Sequence, residues 1–190
     1  MQCFKQGEQL LNDPVILTIK NKNMNNETIP GPSQQQTFIY MIISAWHAQN
    51  KRLNDLLDKL SDEQLSKDTA PGRNSGTYLI GHLAAVNDGM LPILGFGEKL
   101  HPELENIFIK SPDKSGPEKP SITQLKECWN EINAKLTRHM ENMHPDEWFE
   151  RHTSVSAEDF AKEPHRNKLN ILATRTVHQS YHLGQLAYLG

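Results

Sequence analysis

From Ser33 onward the apolar positions recur with a helical period, and four stretches carry that period strongly enough to predict long helices. The first runs to about Leu60 and opens on Ser33-Gln-Gln-Gln36, a capping-box pattern in which two side chains satisfy free amides. It turns Phe38, Ile42, Ala45, Trp46, Gln49, Leu53, Leu56 and Leu60 to one side, with Gln49 the one polar member. His47 lies about 140° from that stripe at 100° per residue and is expected to face outward. The second helix is capped by Asn74 or Ser75 and places His82 among Ser75, Tyr78, Leu79, Ala85, Val86 and Gly89. The third begins with another capping box, Ser121-Ile-Thr-Gln124, turns Leu125, Cys128, Trp129, Ile132, Leu136, His139 and Met143 inward, and stops before Pro145. The fourth spans about Asn167 to Leu189 with Gly190 as its cap. Its face of Ile171, Thr174, Arg175, His178, Tyr181, His182, Gln185 and Leu189 is apolar at both ends and polar in the centre.

The intervening segments set the topology. Residues 92–120 are rich in proline and glycine and predict a long crossover with short helical turns, so the second and third helices are not simple hairpin neighbours. Ser61-Asp-Glu-Gln64 makes one helical turn, and residues 143–166 are irregular, with Trp148 and Phe149 covering one end of the core. His144, His152 and His165 are scattered there without ligand spacing. Residues 1–32 read differently: an apolar run from Val15 to Ile19, an asparagine-rich tract, then Pro30-Gly31-Pro32 predict a loosely attached extension, with Met24 a candidate natural start. The expected organisation is an extension over 1–32 and one all-α domain over 33–190, a four-helix bundle with a long crossover between its second and third helices.

Composition narrows the function classes. A chain of 190 residues, 36% hydrophobic with a formal net charge of -3, suits one soluble domain that buries about 70% of its unfolded surface. No cluster of Lys and Arg offers a grip on phosphate backbones, so nucleic acid is excluded as a partner. Cys3 and Cys128 form no metal-binding pair, which points to a reducing compartment and hence the cytoplasm. No apolar run has membrane-spanning length or signal-peptide character.

The chemistry centres on His178-Gln-Ser-Tyr-His182-Leu-Gly184-Gln185-Leu186. Two histidines four apart on a helix lie about 40° apart around its axis and one turn apart along it, so both imidazoles reach one ion. A third candidate is His82, in Gly81-His82-Leu83; it lies near the middle of its helix and meets the pair if the two helices run antiparallel. A histidine in an apolar stripe also reads as a core residue bonded to a neighbour, and His139 is an inward-phased rival. Three neutral imidazoles suit a divalent ion, zinc or nickel first and iron or manganese behind, and leave coordination positions open for water or a thiol. Gln179 follows His178 where a zinc peptidase of the H-E-x-x-H type carries its glutamate, so that class is excluded. Neither a phosphate-binding glycine loop nor a G-x-S-x-G elbow is present.

The second-helix histidine, the H-x-x-x-H pair and the trailing Gly184-Gln185-Leu186 together resemble the DinB/YfiT-like superfamily of metal-dependent enzymes, from about Ser33 to the end. The resemblance implies a DinB-like four-helix bundle and a metal-dependent enzyme. It also implies a small-molecule substrate, with hydrolysis or transfer to a low-molecular-weight thiol as the candidate reactions and a homodimer as a plausible assembly. Gln49, Tyr78, Arg175 and Gln185 are candidates to line the pocket or orient the ligands, with Arg175 able to meet a substrate carboxylate. Two alternatives stay open: a non-catalytic bundle that binds a small ligand or partner, and metal binding without turnover.

Overall fold

The structure, a computed structural model, describes residues 31–115 and 118–190. The extension expected over 1–32, with Met24, falls outside the described residues apart from Gly31 and Pro32. Among the described residues the regular elements are helical, with two isolated bridges, Asp68 to Ser75 and Arg151 to Asn167, beside them. Four helices are long: α1 (Gln34–Lys59), α3 (Gly76–Asp88), α6 (Ile122–Glu141) and α8 (Lys168–Leu186). Shorter ones connect them: α2 (Asp62–Leu65), α4 (Met90–Leu94), α5 (Glu103–Phe108) and α7 (Ala157–Lys162).

Each long helix starts on a side chain that accepts from its first-turn amides. Ser33 with Gln36 and Ser121 with Gln124 form reciprocal capping boxes, Ser75 accepts from the Tyr78 amide, and Asn167 from the Asn170 amide. Such a cap contributes about 1 kcal/mol and sets where the helix begins. The α8 helix ends at Leu186 rather than Leu189, because the chain tightens into a 3₁₀ turn over Ala187–Leu189.

The inward face of α1 differs from the expected stripe. Phe38 is 51% exposed and Ala45 also faces solvent, while Ile39, Trp46, Leu53, Leu57 and Leu60 are buried. The buried seam repeats every seven residues (Ile39, Trp46, Leu53, Leu60), as in coiled-coil packing, and Phe38 and Ala45 each stand one residue before it, about 100° around the axis, on the part of the apolar arc that the neighbouring helices leave uncovered. His47 shares with Asn50 and Asn54 the face turned toward α6, so it is half-buried rather than outward.

Residue contacts give the relative directions of the helices. Gln179 on α8 donates to Asn50 on α1, and Gly190 lies near Leu60. Trp129 and Lys126 on α6 donate to Asn54 and to the Leu57 carbonyl on α1, so α6 runs opposite to α1. Gly76, at the start of α3, faces Leu189, whereas His82 faces His178 and His182, so α3 and α8 are antiparallel.

The described residues between α3 and α6 are fastened to α3 at several points. The buried Asp88 carboxylate accepts the Leu100 and His101 amides at 2.8 and 2.9 Å, and Asp113 accepts the Ser75 amide at 2.7 Å. Leu104 and Phe108 of α5 are fully buried, each such side chain contributing about 2 kcal/mol. Gly81 permits this close approach: a Cβ there would stand 2.4 Å from the Phe108 ring. No helix among the described residues is long and apolar enough to cross a membrane.

Candidate metal centre

His82 on α3 and His178 and His182 on α8 converge, with one ring nitrogen of each within 4.8 Å of the others. Nε2 of His178 lies 3.3 Å from Nε2 of His82 and 3.0 Å from Nε2 of His182. Imidazole nitrogens about 2.0–2.1 Å from a common ion are about 3.3 Å apart in a tetrahedral site and about 2.9 Å apart at adjacent octahedral positions. The two separations from His178 fall in that range, and the group as a whole lies within 4.8 Å.

Hydrogen bonds at the far side of two rings decide which nitrogens face inward as bases. Nδ1 of His82 is 2.9 Å from the Phe108 carbonyl, an oxygen that only accepts, so Nδ1 carries the proton and Nε2 presents a lone pair. Nδ1 of His182 is 2.7 Å from Oε1 of Gln185, with the same consequence. His178 therefore faces two lone pairs with one N–H at most. A cation satisfies all three nitrogens at once, and on this observation the residues fit a divalent metal. Burial, reinforced by His182, His82 and Arg175, pushes the His178 pKa down to about 4. Burial also lowers that of His182, against the hydrogen bond that its Nδ1 donates to Gln185. Both rings are thus neutral near pH 7, the form that binds metals.

The other sequence candidates divide. Gln185 is the partner of His182, and its amide nitrogen is 3.4 Å from the Tyr181 hydroxyl. Tyr78 stacks on His82 with ring centroids 6.3 Å apart, but its hydroxyl donates to the Ser111 carbonyl at 2.8 Å and holds the α5 connection in place. Arg175 is half-buried one turn before His178, and its Nε has no partner. Gln49 is half-buried on α1 without a hydrogen bond to the histidines. His139 stacks on Phe96, centroids 4.8 Å apart, and stands outside the group. His152 is buried and accepts the Ser154 amide.

Sequence reasoning missed the Phe108 carbonyl, a backbone group in a segment without periodicity. It also missed the pairing of Gln179 with Asn50 at 2.9 Å, which turns Gln179 toward α1. A cleft of about 670 Å³ lies between α1 and α6, lined by His47, Asn50, Asn54, Trp129, Asn133 and Arg138 among others. None of the three converging histidines lines it.

No curated protein matches the chain. Among solved structures, a conserved protein from Enterococcus faecalis shares the fold, with a TM-score of 0.57 at 15% identity over 79% of this chain and 93% of that one. The family model of the DinB superfamily matches residues 45–186, a span that holds all three histidines. The chain belongs to the DinB superfamily.

Proposed function

We propose that the chain is a divalent-metal-dependent enzyme in which His82, His178 and His182 hold the ion and leave coordination positions open to a small-molecule substrate. The observation that carries this reading is the convergence of three Nε2 atoms, two of them fixed as lone-pair donors by Phe108 and Gln185. The helix directions support a DinB-like bundle of α1, α3, α6 and α8, with 89–121 crossing over so that α3 and α6 run the same way.

A divalent ion at such a site supplies Lewis acidity, which lowers the pKa of a water or thiol that it binds. The chain's own residues do the rest. The Phe108 carbonyl and Gln185 hold two rings in the binding tautomer, and the stacked Tyr78 limits rotation of His82. Gln179, at the position where a zinc peptidase carries its general-base glutamate, is turned to Asn50 instead. The reaction class is hydrolysis or thiol transfer driven by the acidity of the ion. Cobalt(II) loading tests it: visible bands of an open, three-nitrogen site that change on adding 2-mercaptoethanol support thiol activation. Bands indifferent to added thiol leave hydrolysis, and failure to load cobalt rejects both.

A further inference from the structure

Two of the buried side-chain nitrogens without a partner stand one turn apart on α8, Nδ1 of His178 and Nε of Arg175. The other two histidines each give their Nδ1 proton to an acceptor, Phe108 or Gln185. With Nε2 of His178 turned toward an ion, its Nδ1 carries a proton, and Arg175 is a donor at every nitrogen. Both are then buried N–H groups lacking an acceptor, and leaving such donors unmet is costly. Burial lowers the pKa of Arg175, and among the described residues no carboxylate acts on it. Among the described residues the histidine group likewise contains no acid, so a bound divalent ion would bring positive charge without a carboxylate in the cluster. In metal sites of this kind a protein carboxylate commonly takes the outer nitrogen of a ligating histidine. Here that place is next to a guanidinium on a side chain that is only half-buried.

We propose that the acceptor is a carboxylate of the substrate, held between Arg175 and Nδ1 of His178 outside the inner coordination sphere, so that the substrate is a small organic acid anion. This rests on the metal-centre reading above. The pair then gives the enzyme an orienting contact away from the reacting bond.

Propanoate binding to the full chain, measured by calorimetry on zinc-loaded and metal-stripped protein, tests it, with propionamide as the neutral control. Propanoate is expected to bind at least tenfold more tightly than propionamide, and R175Q to weaken it at least tenfold, as loss of a charge-assisted pair implies. R175K keeps the charge but loses the planar fork, so it falls between, several-fold weaker than wild type. If R175Q does not fold, the R175K comparison carries the test. Propanoate affinity unchanged by either variant overturns the proposal, as does equal binding of propionamide, which would mean that a neutral acceptor fills the place. Binding that vanishes with the metal yet ignores Arg175 also overturns it, since the anion would then sit on the ion itself. A chain that takes up no zinc but binds propanoate through Arg175 rejects the metal reading and keeps this subsite. One that takes up zinc without Arg175-dependent binding does the reverse.

Discussion

Nδ1 of His82 donates to the backbone carbonyl of Phe108 at 2.9 Å, so a short helix in the connection between α3 and α6 fixes the tautomer of a candidate ligand on α3. The contact depends on how closely α5 lies on α3, and Gly81 sets that distance. Gly81→Ala would place a methyl group against the Phe108 ring and push α5 outward. A stability loss of about 1–3 kcal/mol in denaturant unfolding is expected from the overpacking. Metal affinity should fall about tenfold or more as the carbonyl withdraws. Unchanged affinity in a chelator competition would remove the Phe108 carbonyl from the account.

Gln185 performs the same service for His182. Gln185→Leu is expected to weaken metal binding about 10–100-fold while leaving the helix formed, because Leu is a good helix former. Gln185→Glu keeps an acceptor and should retain most of the affinity. Chelator competition distinguishes the two, and equal losses in both variants would argue that the hydrogen bond is irrelevant.

Gln179 stands where a zinc peptidase carries its catalytic glutamate, yet it is fully buried and donates to Asn50 on α1. Gln179→Glu is therefore expected to yield no peptidase activity. It should cost about 2 kcal/mol or more of stability at neutral pH, since a carboxylate replaces a paired amide in the core. A fluorogenic peptide assay and thermal unfolding check both halves. Gained peptide hydrolysis would show that the side chain reaches the metal.

In metal-stripped protein the depressed pKa of His178 gives stability a pH dependence. The folded state holds the ring neutral to about pH 4, whereas the unfolded chain protonates it near 6.5. The folded state thus binds fewer protons between those values. The contribution is fully present above about pH 6.5 and is lost as pH falls toward about 4. Denaturant midpoints should fall over that window in wild type and fall less in His178→Gln. Parallel curves would mean that His178 is not the group concerned.

Much of this arrangement is legible in the sequence, and the parts that are not share a physical cause. Ser33, Ser75, Ser121 and Asn167 announce helix starts because a cap is a local event between residues three apart. The pair His178 and His182 is legible for the same reason, and His82 through its phase on α3. The burial of Ile39 in place of Phe38 is not, since both are apolar and a single helix does not declare which part of its apolar arc its partners cover. The Phe108 carbonyl leaves no trace in side-chain pattern at all. The isolation of Arg175 is a property of what surrounds it, which only the assembled helices determine.

Elemental analysis of the protein purified without a metal-affinity tag, wild type beside His178→Ala, tests the central claim most directly. Near-stoichiometric divalent metal in the wild type and its loss in the variant is the predicted result. Wild-type protein that stays metal-free after incubation with zinc or nickel, or a His178→Ala variant with undiminished metal, would contradict it.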